Sequence, residues 1–469
     1  MNNGAIMNLT LVTMNPSRDV VTDGGIVWED GKIIYVGPSF KVKQLAKAKN
    51  FEIEDGQKKI LFPGMVNSHM HLFQNLLKGL GADLDLETWW PSTIKPAATA
   101  IRAEHVAAAA TAGTMESIRG GATTLVDYMY AHPVKGLSQV TIDAVNKVGA
   151  RLVYARGFRN TGAAHGFPVE LIEKTADVFD EVVSLTKHYQ KQEDMVRFMV
   201  APAAAWAVDA EGLQDTRDFA NATGIPITMH MFETDTDNVV CRERYGMKDA
   251  ITFFEKTNLL GDDLLAVHVV AIGDRELKAF REHNVKVSHN PMANMYLASG
   301  IAPVTEMLER NICVSLGTDG AASNNSTDML ETLKMTALLH KVAAKDPTAI
   351  TANKVLEMAT IDGARAIGME NLIGSIEEGK RADFFLFDPD ACGKSSPCHA
   401  PVATLVYSSG QASIVKVVVD GKTIINDGDF VEFEEGEAYQ HQSEMARDLA
   451  SRAGYPREFL ERDWKSFVW

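Results

Sequence analysis

The chain predicts an α/β fold, a (β/α)8 TIM-type barrel joined to a small β-sandwich domain built from both chain ends. Three observations lead there. Eight strand-like apolar runs alternate with stretches of helical period between residues 62 and 370, the count for a closed barrel of parallel strands. Hairpin signals flank that region on both sides. Histidines and an aspartate recur at the C-terminal ends of the runs, the rim where barrels of this kind carry their sites.

The N-terminal 60 residues read as short strands and tight turns. In Ile26-Val-Trp-Glu-Asp-Gly-Lys-Ile-Ile-Tyr-Val-Gly37, two apolar runs surround Asp30-Gly31, a two-residue hairpin signal. The eight barrel runs are Met65–His71, Thr123–Met129, Arg151–Gly157, Val196–Ala201, Ile225–Met231, Leu264–Val270, Val285–His289 and Cys313–Thr318. Alanine-rich segments such as 103–119 and 331–344 supply helices. The hairpin pattern returns late, with the strand Ala382–Asp388 and the hairpin Val415–Ile425 turning at Asp420-Gly421. The expected division is residues 1–60 and 371–432 for the small domain, 61–370 for the barrel and 433–469 for a C-terminal tail. That tail ends in Trp464, Phe467 and Trp469. Exposed, they would form an apolar patch, which points to packing against a second subunit of a homo-oligomer, a dimer or larger.

Composition narrows the partners. The 469 residues are 46% apolar and carry a net charge of −16, which opposes binding to nucleic acid or to an anionic membrane. Cys241, Cys313, Cys392 and Cys398 form no close pair and read as reduced thiols of a cytoplasmic protein. No apolar run reaches membrane-spanning length, and the N-terminus lacks a secretion signal.

The chemistry is carried by histidines. His69 and His71 end the first run at i and i+2, which puts both rings on one face of a strand. His230, His268 and His289 fall at or near the ends of the fifth, sixth and seventh runs, and Asp319 follows the eighth. His105, His188, His283, His340, His399 and His441 lie in helical or loop contexts and read as surface or packing residues. His132 and His165 stay open. Three histidines and a carboxylate suit one divalent ion with an open position for water, and His69, His71, His230 and Asp319 make that set. Zinc is the first choice and ferrous iron the second. Glu233, in His230-Met-Phe-Glu233, is placed to carry a proton from water to a leaving group, or else to orient a ligand imidazole. His268 either bonds the activated water or supplies a fifth ligand.

These motifs together resemble the amidohydrolase superfamily, in its cytosine-deaminase-like Atz/Trz branch. The resemblance rests on Pro63-Gly-Met-Val-Asn-Ser-His-Met-His71, His230-Met-Phe-Glu233, Val267-His268, Ser288-His-Asn-Pro-Met-Ala-Asn-Met295, Gly317-Thr-Asp319, Met358–Arg365 and Gly374–Asp383, and covers residues 1–432. It implies a mononuclear site, since the fourth strand has no lysine to form the bridging carbamate of binuclear relatives. It also implies the roles: metal on His69, His71, His230 and Asp319, with Glu233, His268 and Asp319 acting on water and substrate. The implied reaction is hydrolytic deamination of an amino-substituted nitrogen heterocycle of triazine, pyrimidine, purine or pterin type. The alternatives are dechlorination of an s-triazine and amide or urea hydrolysis on the same scaffold.

For the substrate, Gln74 and Trp89 match ring-contacting positions of triazine-hydrolase relatives. Tyr130 and Arg156, at the ends of the second and third runs, and Ser323 and Asn325, after Asp319, complete the candidates. Relatives acting on methylthioadenosine and S-adenosylhomocysteine carry a glutamate just after Trp-Pro and a histidine on the fourth-strand loop. Here Trp90-Pro91 is followed by Ser92, and the loop reads Ala203-Ala-Ala-Trp206, which argues against a nucleoside. The pattern is closer to the atrazine chlorohydrolase and melamine deaminase group. The residue after the metal aspartate is asparagine in the chlorohydrolase and Gly320 here, which favours amine over chloride as leaving group.

Overall fold

The computed structural model describes residues 2–456. Two sheets organise it. The first has nine strands drawn from both chain ends, in the order Asp429–Phe430, Lys422–Asn426, Ile414–Val419, Phe384–Phe387, Ile60–Pro63, Gly4–Val12, Val20–Glu29 and Lys32–Pro38, with Ile53–Asp55 also paired to Gly4–Val12. Both expected hairpins form. Asp30 and Gly31 have φ of 50° and 74°, and Asp420 and Gly421 have 51° and 74°, the left-handed pair that tight hairpins demand. The sheet curls on itself: Trp28 and Phe384 lie three strands apart, yet their ring centroids are 5.5 Å apart. Strand period 2 sorts its side chains. Phe384 and Leu386 enter this curled core, while Phe385 and Phe387 join the core shared with the barrel.

The second sheet is the barrel. Its strands are β1 (Met65–His71), β2 (Ala122–Met129), β3 (Arg151–Phe158), β4 (Val196–Pro202), β5 (Ile227–Met231), β6 (Leu264–His268), β7 (Lys286–His289) and β8 (Val314–Leu316). All neighbours are parallel. Closure is made in two pieces. β8 pairs with β7, and the following Asp319–Gly320 pairs with Met70 and His71 of β1. Between them, Gly317 packs so closely on β1 that a Cβ would lie 2.8 Å from the carbonyl oxygen of His69; only glycine permits that approach. β6 stops two residues sooner than its apolar run suggests, because His268 and Val269 turn to φ of 74° and 52°. Positive φ is costly for a β-branched residue such as Val269. It re-aims the chain at the rim.

Helices Ala103–Arg119 and Met329–Ala344 form as expected. The tail contributes the helix Glu435–Ala453. It lies against the barrel, where Gln442 donates to the Asn75 carbonyl at 2.8 Å and Asp448 faces His105 at 2.9 Å. Trp464, Phe467 and Trp469 lie outside the described residues. No helix among the described residues is long and apolar enough to cross a membrane.

Candidate active site

The barrel rim gathers the predicted donors. His69 and His71 leave the end of β1 on one face, and their rings sit 4.7 Å apart. His230 comes from β5, His268 from the last position of β6 and Asp319 from the split strand that closes the ring. Asp319 Oδ1 lies 3.3 Å from His69 Nε2 and 3.2 Å from His71 Nε2. His230 Nε2 and His71 Nε2 are 3.3 Å apart. Bonds of about 2.1 Å to nitrogen or oxygen in a tetrahedral shell put neighbouring donors about 3.4 Å apart, so these spacings fit one ion at their centre.

Hydrogen bonds to the outer ring nitrogens hold this orientation. His71 Nδ1 is 2.6 Å from the Tyr128 carbonyl oxygen and His230 Nδ1 is 2.9 Å from that of Ala203. Donation from each Nδ1–H leaves the Nε2 lone pair aimed inward, the tautomer a metal requires. His69 is fully buried, and neither ring nitrogen has a hydrogen-bond partner. Such orphaned buried nitrogens are costly without a cation. Burial also pushes the His69 pKa down to about 3 and that of His230 well below its usual range, so both rings are neutral and available as ligands. Burial alone would raise Asp319, but the adjoining His69 and His71 imidazoles override it and hold the carboxyl well below the usual range. The donor set therefore fits a divalent metal.

Glu233 stands beside the donors. Its Oε2 is 3.6 Å from His268 Nε2, and its Oε1 accepts from Ser299 Oγ at 3.1 Å. Burial raises its pKa, which favours a carboxyl that carries a proton. The backbone sets its aim. Phe232 has φ of 54°; its N–H donates to the buried Asp237 carboxylate at 2.7 Å, and its carbonyl accepts from Val270 and Ala271 at 2.9 and 2.8 Å. His268 Nδ1 is 3.0 Å from Asn294 Oδ1, which turns Nε2 toward Glu233.

A cavity of about 470 Å³ opens over this floor, with His71, His230, Glu233, His268 and Asp319 in its lining. Gln74, Trp89 and Tyr130 also line it. Gln74 donates to the Tyr130 hydroxyl at 2.9 Å and accepts from the Ala322 N–H at 3.3 Å, and Trp89 Nε1 donates to the Ala322 carbonyl at 3.0 Å. Gly320 is tied to Gln74, because a Cβ there would fall 1.8 Å from the Gln74 amide oxygen. The glycine makes room for the glutamine.

Other candidates sit elsewhere. Arg156 is buried behind the wall, held by Glu173 at 2.5 and 3.0 Å and by Glu181 at 3.0 Å; its charge is spent on these carboxylates, not on the cavity. Ser323 Oγ donates to Asp319 Oδ2 at 2.9 Å, so it braces that carboxylate. Asn325 accepts from the Gly79 N–H at 2.6 Å and anchors the loop after β1. His289 departs from the rim group, its Nε2 lying 3.0 Å from that of His340 in a buried pair. His132 is buried and turns to the Met129 carbonyl at 3.0 Å. Four residues of the cavity wall, Arg159, Phe167, Trp206 and Asp237, carry no mark in the sequence. Arg159 lies one residue past β3, Phe167 and Trp206 lie in loops, and Asp237 opens a helix. Neither periodicity nor spacing singles out such positions.

Comparison with known proteins agrees with this geometry. Residues 60–424 match the model of the amidohydrolase family. A 5'-deoxyadenosine deaminase of Methanopyrus kandleri is 33% identical over 94% of this chain and 98% of its own. A 5-methylthioadenosine/S-adenosylhomocysteine deaminase of Bacillus cytotoxicus is 33% identical over 91% and 94%. Among solved structures, a zinc-bound adenosine deaminase from Xanthomonas campestris superposes with a TM-score of 0.87 at 26% identity, covering 95% of this chain and 98% of that one. A variant of atrazine chlorohydrolase from Arthrobacter aurescens, complexed with zinc and atraton, gives 0.88 at 24% identity over 94% and 99%, a likeness of fold. The chain belongs to the amidohydrolase family and is a hydrolase of carbon–nitrogen bonds with a divalent-metal centre.

Proposed function

We propose that this chain hydrolytically deaminates an aminopurine ring carrying a substituent, with one zinc ion as the resident metal. The observation that carries the reading is the placement of Glu233 and Asp319, both on the cavity floor, with Glu233 3.6 Å from His268 and Asp319 within 3.3 Å of two imidazoles. A metal held by His69, His71, His230 and Asp319 would lower the pKa of a coordinated water to about 7 and so supply the nucleophile. The chain's own groups move the protons. Glu233 delivers a proton to a ring nitrogen beside the reacting carbon, which makes that carbon electrophilic. Asp319 accepts the proton that the attacking water gives up, while His268, with its Nδ1–H on Asn294, accepts a hydrogen bond from that water at Nε2 and orients it. The carbon–oxygen bond forms, the amine takes the proton held by Asp319, the carbon–nitrogen bond breaks to release ammonia, and the remaining proton on the added oxygen returns to Glu233, leaving a carbonyl beside the protonated ring nitrogen.

The substituent points outward. The two departures that argued against nucleosides remain visible. Ala203 lines the cavity without a polar side-chain group, and Ser92 Oγ donates to the Thr88 carbonyl of its own helix at 2.6 Å. Similarity to nucleoside deaminases over more than nine-tenths of the chain outweighs those departures. The changes alter how a sugar would be held, while the base-reacting floor stays complete. Glu87 and Thr236, both in the lining and 3.5 Å apart, are the hydroxyl-binding groups on that side. The test is a panel of aminopurines, their nucleosides, aminopyrimidines, aminotriazines and pterins offered to zinc-loaded enzyme, with ammonia as the readout. The expected result is fastest release from an N9-substituted 6-aminopurine. Faster release from an aminotriazine would overturn the substrate class, and a ring-opened acid in place of ammonia would overturn the reaction.

A further inference from the structure

The outer wall of the cavity contains a cation without a counter-ion. Arg159 is only 2% exposed, and its Nε and Nη1 have no hydrogen-bond partner. Its guanidinium carbon lies 5.1 Å from the Trp90 ring, 4.9 Å from Phe167 and 5.9 Å from Trp206. Those rings pack on one another, with Phe167 and Trp206 stacked at 5.3 Å and Trp90 tilted against Phe167 at 4.7 Å. All four side chains line the cavity. The nearby arginine Arg156 takes up Glu173 and Glu181, and no carboxylate among the described residues lies within ion-pair distance of Arg159.

Aromatic faces repay part of the cost of burying a cation, but they leave its N–H groups unmet. Burial lowers the Arg159 pKa only to about 10, so the group is charged at neutral pH. The other cations of the lining, Lys95 and Arg244, already bond the carbonyls of Gly166 at 2.9 Å and Trp206 at 2.8 Å. The floor of the cavity is of opposite character, with Glu233 and Asp319. A cavity of this volume holds more than one ring system.

We infer that Arg159, caged by Trp90, Phe167 and Trp206, is a subsite for an oxyanion carried by the substrate away from the reacting ring, either a carboxylate or a phosphate. The inference rests on the cavity being the substrate site, and it deepens the reading above by adding a charged substituent to the heterocycle. An oxyanion matches the planar donor edge of a guanidinium, and the flat cage around it suits an adjoining apolar or aromatic linker.

The test needs no turnover. Zinc-loaded wild type and Arg159→Met are followed by thermal shift and calorimetry with benzoate, phenyl phosphate and benzamide, which share a ring and differ in charge. The expected result for wild type is stabilisation by one or both anions and none by benzamide. Arg159→Met should lose at least ten-fold in anion affinity and melt no lower than wild type without ligand, because an unpaired buried charge has been removed. Stabilisation by benzoate alone would assign a carboxylate, and by phenyl phosphate alone a phosphate. Equal anion affinity in both proteins, or no anion binding to wild type, would overturn the inference. So would a marked loss of stability in ligand-free Arg159→Met together with unchanged anion affinity, which would make the arginine a structural plug. A protein that binds anions through Arg159 yet releases no ammonia from any heterocycle would instead overturn the proposed deamination.

Discussion

The floor and the outer wall of the cavity are built differently. Each floor donor sits at a strand end or on the strand that closes the barrel, and all but His69 have their outer atoms tied down. His71 and His230 are held by backbone carbonyls, His268 by Asn294 and Asp319 by Ser323. The wall comes from loops and short helices: Trp90 from the segment after β1, Arg159 and Phe167 from the loop after β3, and Trp206 from the loop after β4. Chemistry is placed on the rigid part of the fold, and recognition is placed where the chain can vary without disturbing it.

Substitutions on the two layers should therefore fail in different ways. The largest effect is expected from His69→Ala, which removes a buried donor that has no other partner. Metal content by elemental analysis and turnover should fall together, and turnover with retained metal would break the assignment. Glu233→Gln comes next. Metal should stay bound while kcat falls by about 10²- to 10⁴-fold, the usual contribution of a positioned acid–base group. Near-normal kcat would move proton transfer elsewhere. Asn294→Ala frees the His268 ring, and a loss of about 10- to 100-fold in kcat with metal retained is the scale for removing an orienting partner. A change in KM alone would show that Asn294 serves only the wall. Trp206→Ala is expected to have the smallest effect. It removes one face of the aromatic cage and should raise KM by about ten-fold at most, with kcat unchanged, since aromatic contacts contribute roughly 0.5–1.5 kcal/mol beyond burial. A large fall in kcat would erase the distinction between the layers.

The same division explains what the sequence revealed. The floor was legible because β-strands project alternate residues to one face, so His69-Met-His71 announces a shared target, and because barrel topology sends every strand end to one rim. Asp319 could be placed for the same reason. His289 satisfied that rule and still turned away, since its ring pairs with His340 on the helix Met329–Ala344, which strand reasoning cannot see. Arg156 misled in a related way. Strand position put it near the rim, but two glutamates from the following segment hold it behind the wall. Arg159, one residue past the strand, faces the cavity instead. Its role depends on rings brought together from three loops, and no spacing within the chain encodes that meeting.

Floor and wall together are built for metal-dependent release of ammonia from an aminopurine, as proposed above. The most direct measurement follows metal content and ammonia production in one preparation through chelation and zinc readdition. The expected result is one metal per chain, loss of both signals on chelation, and return of both with zinc. Undiminished ammonia release from metal-free protein would contradict it.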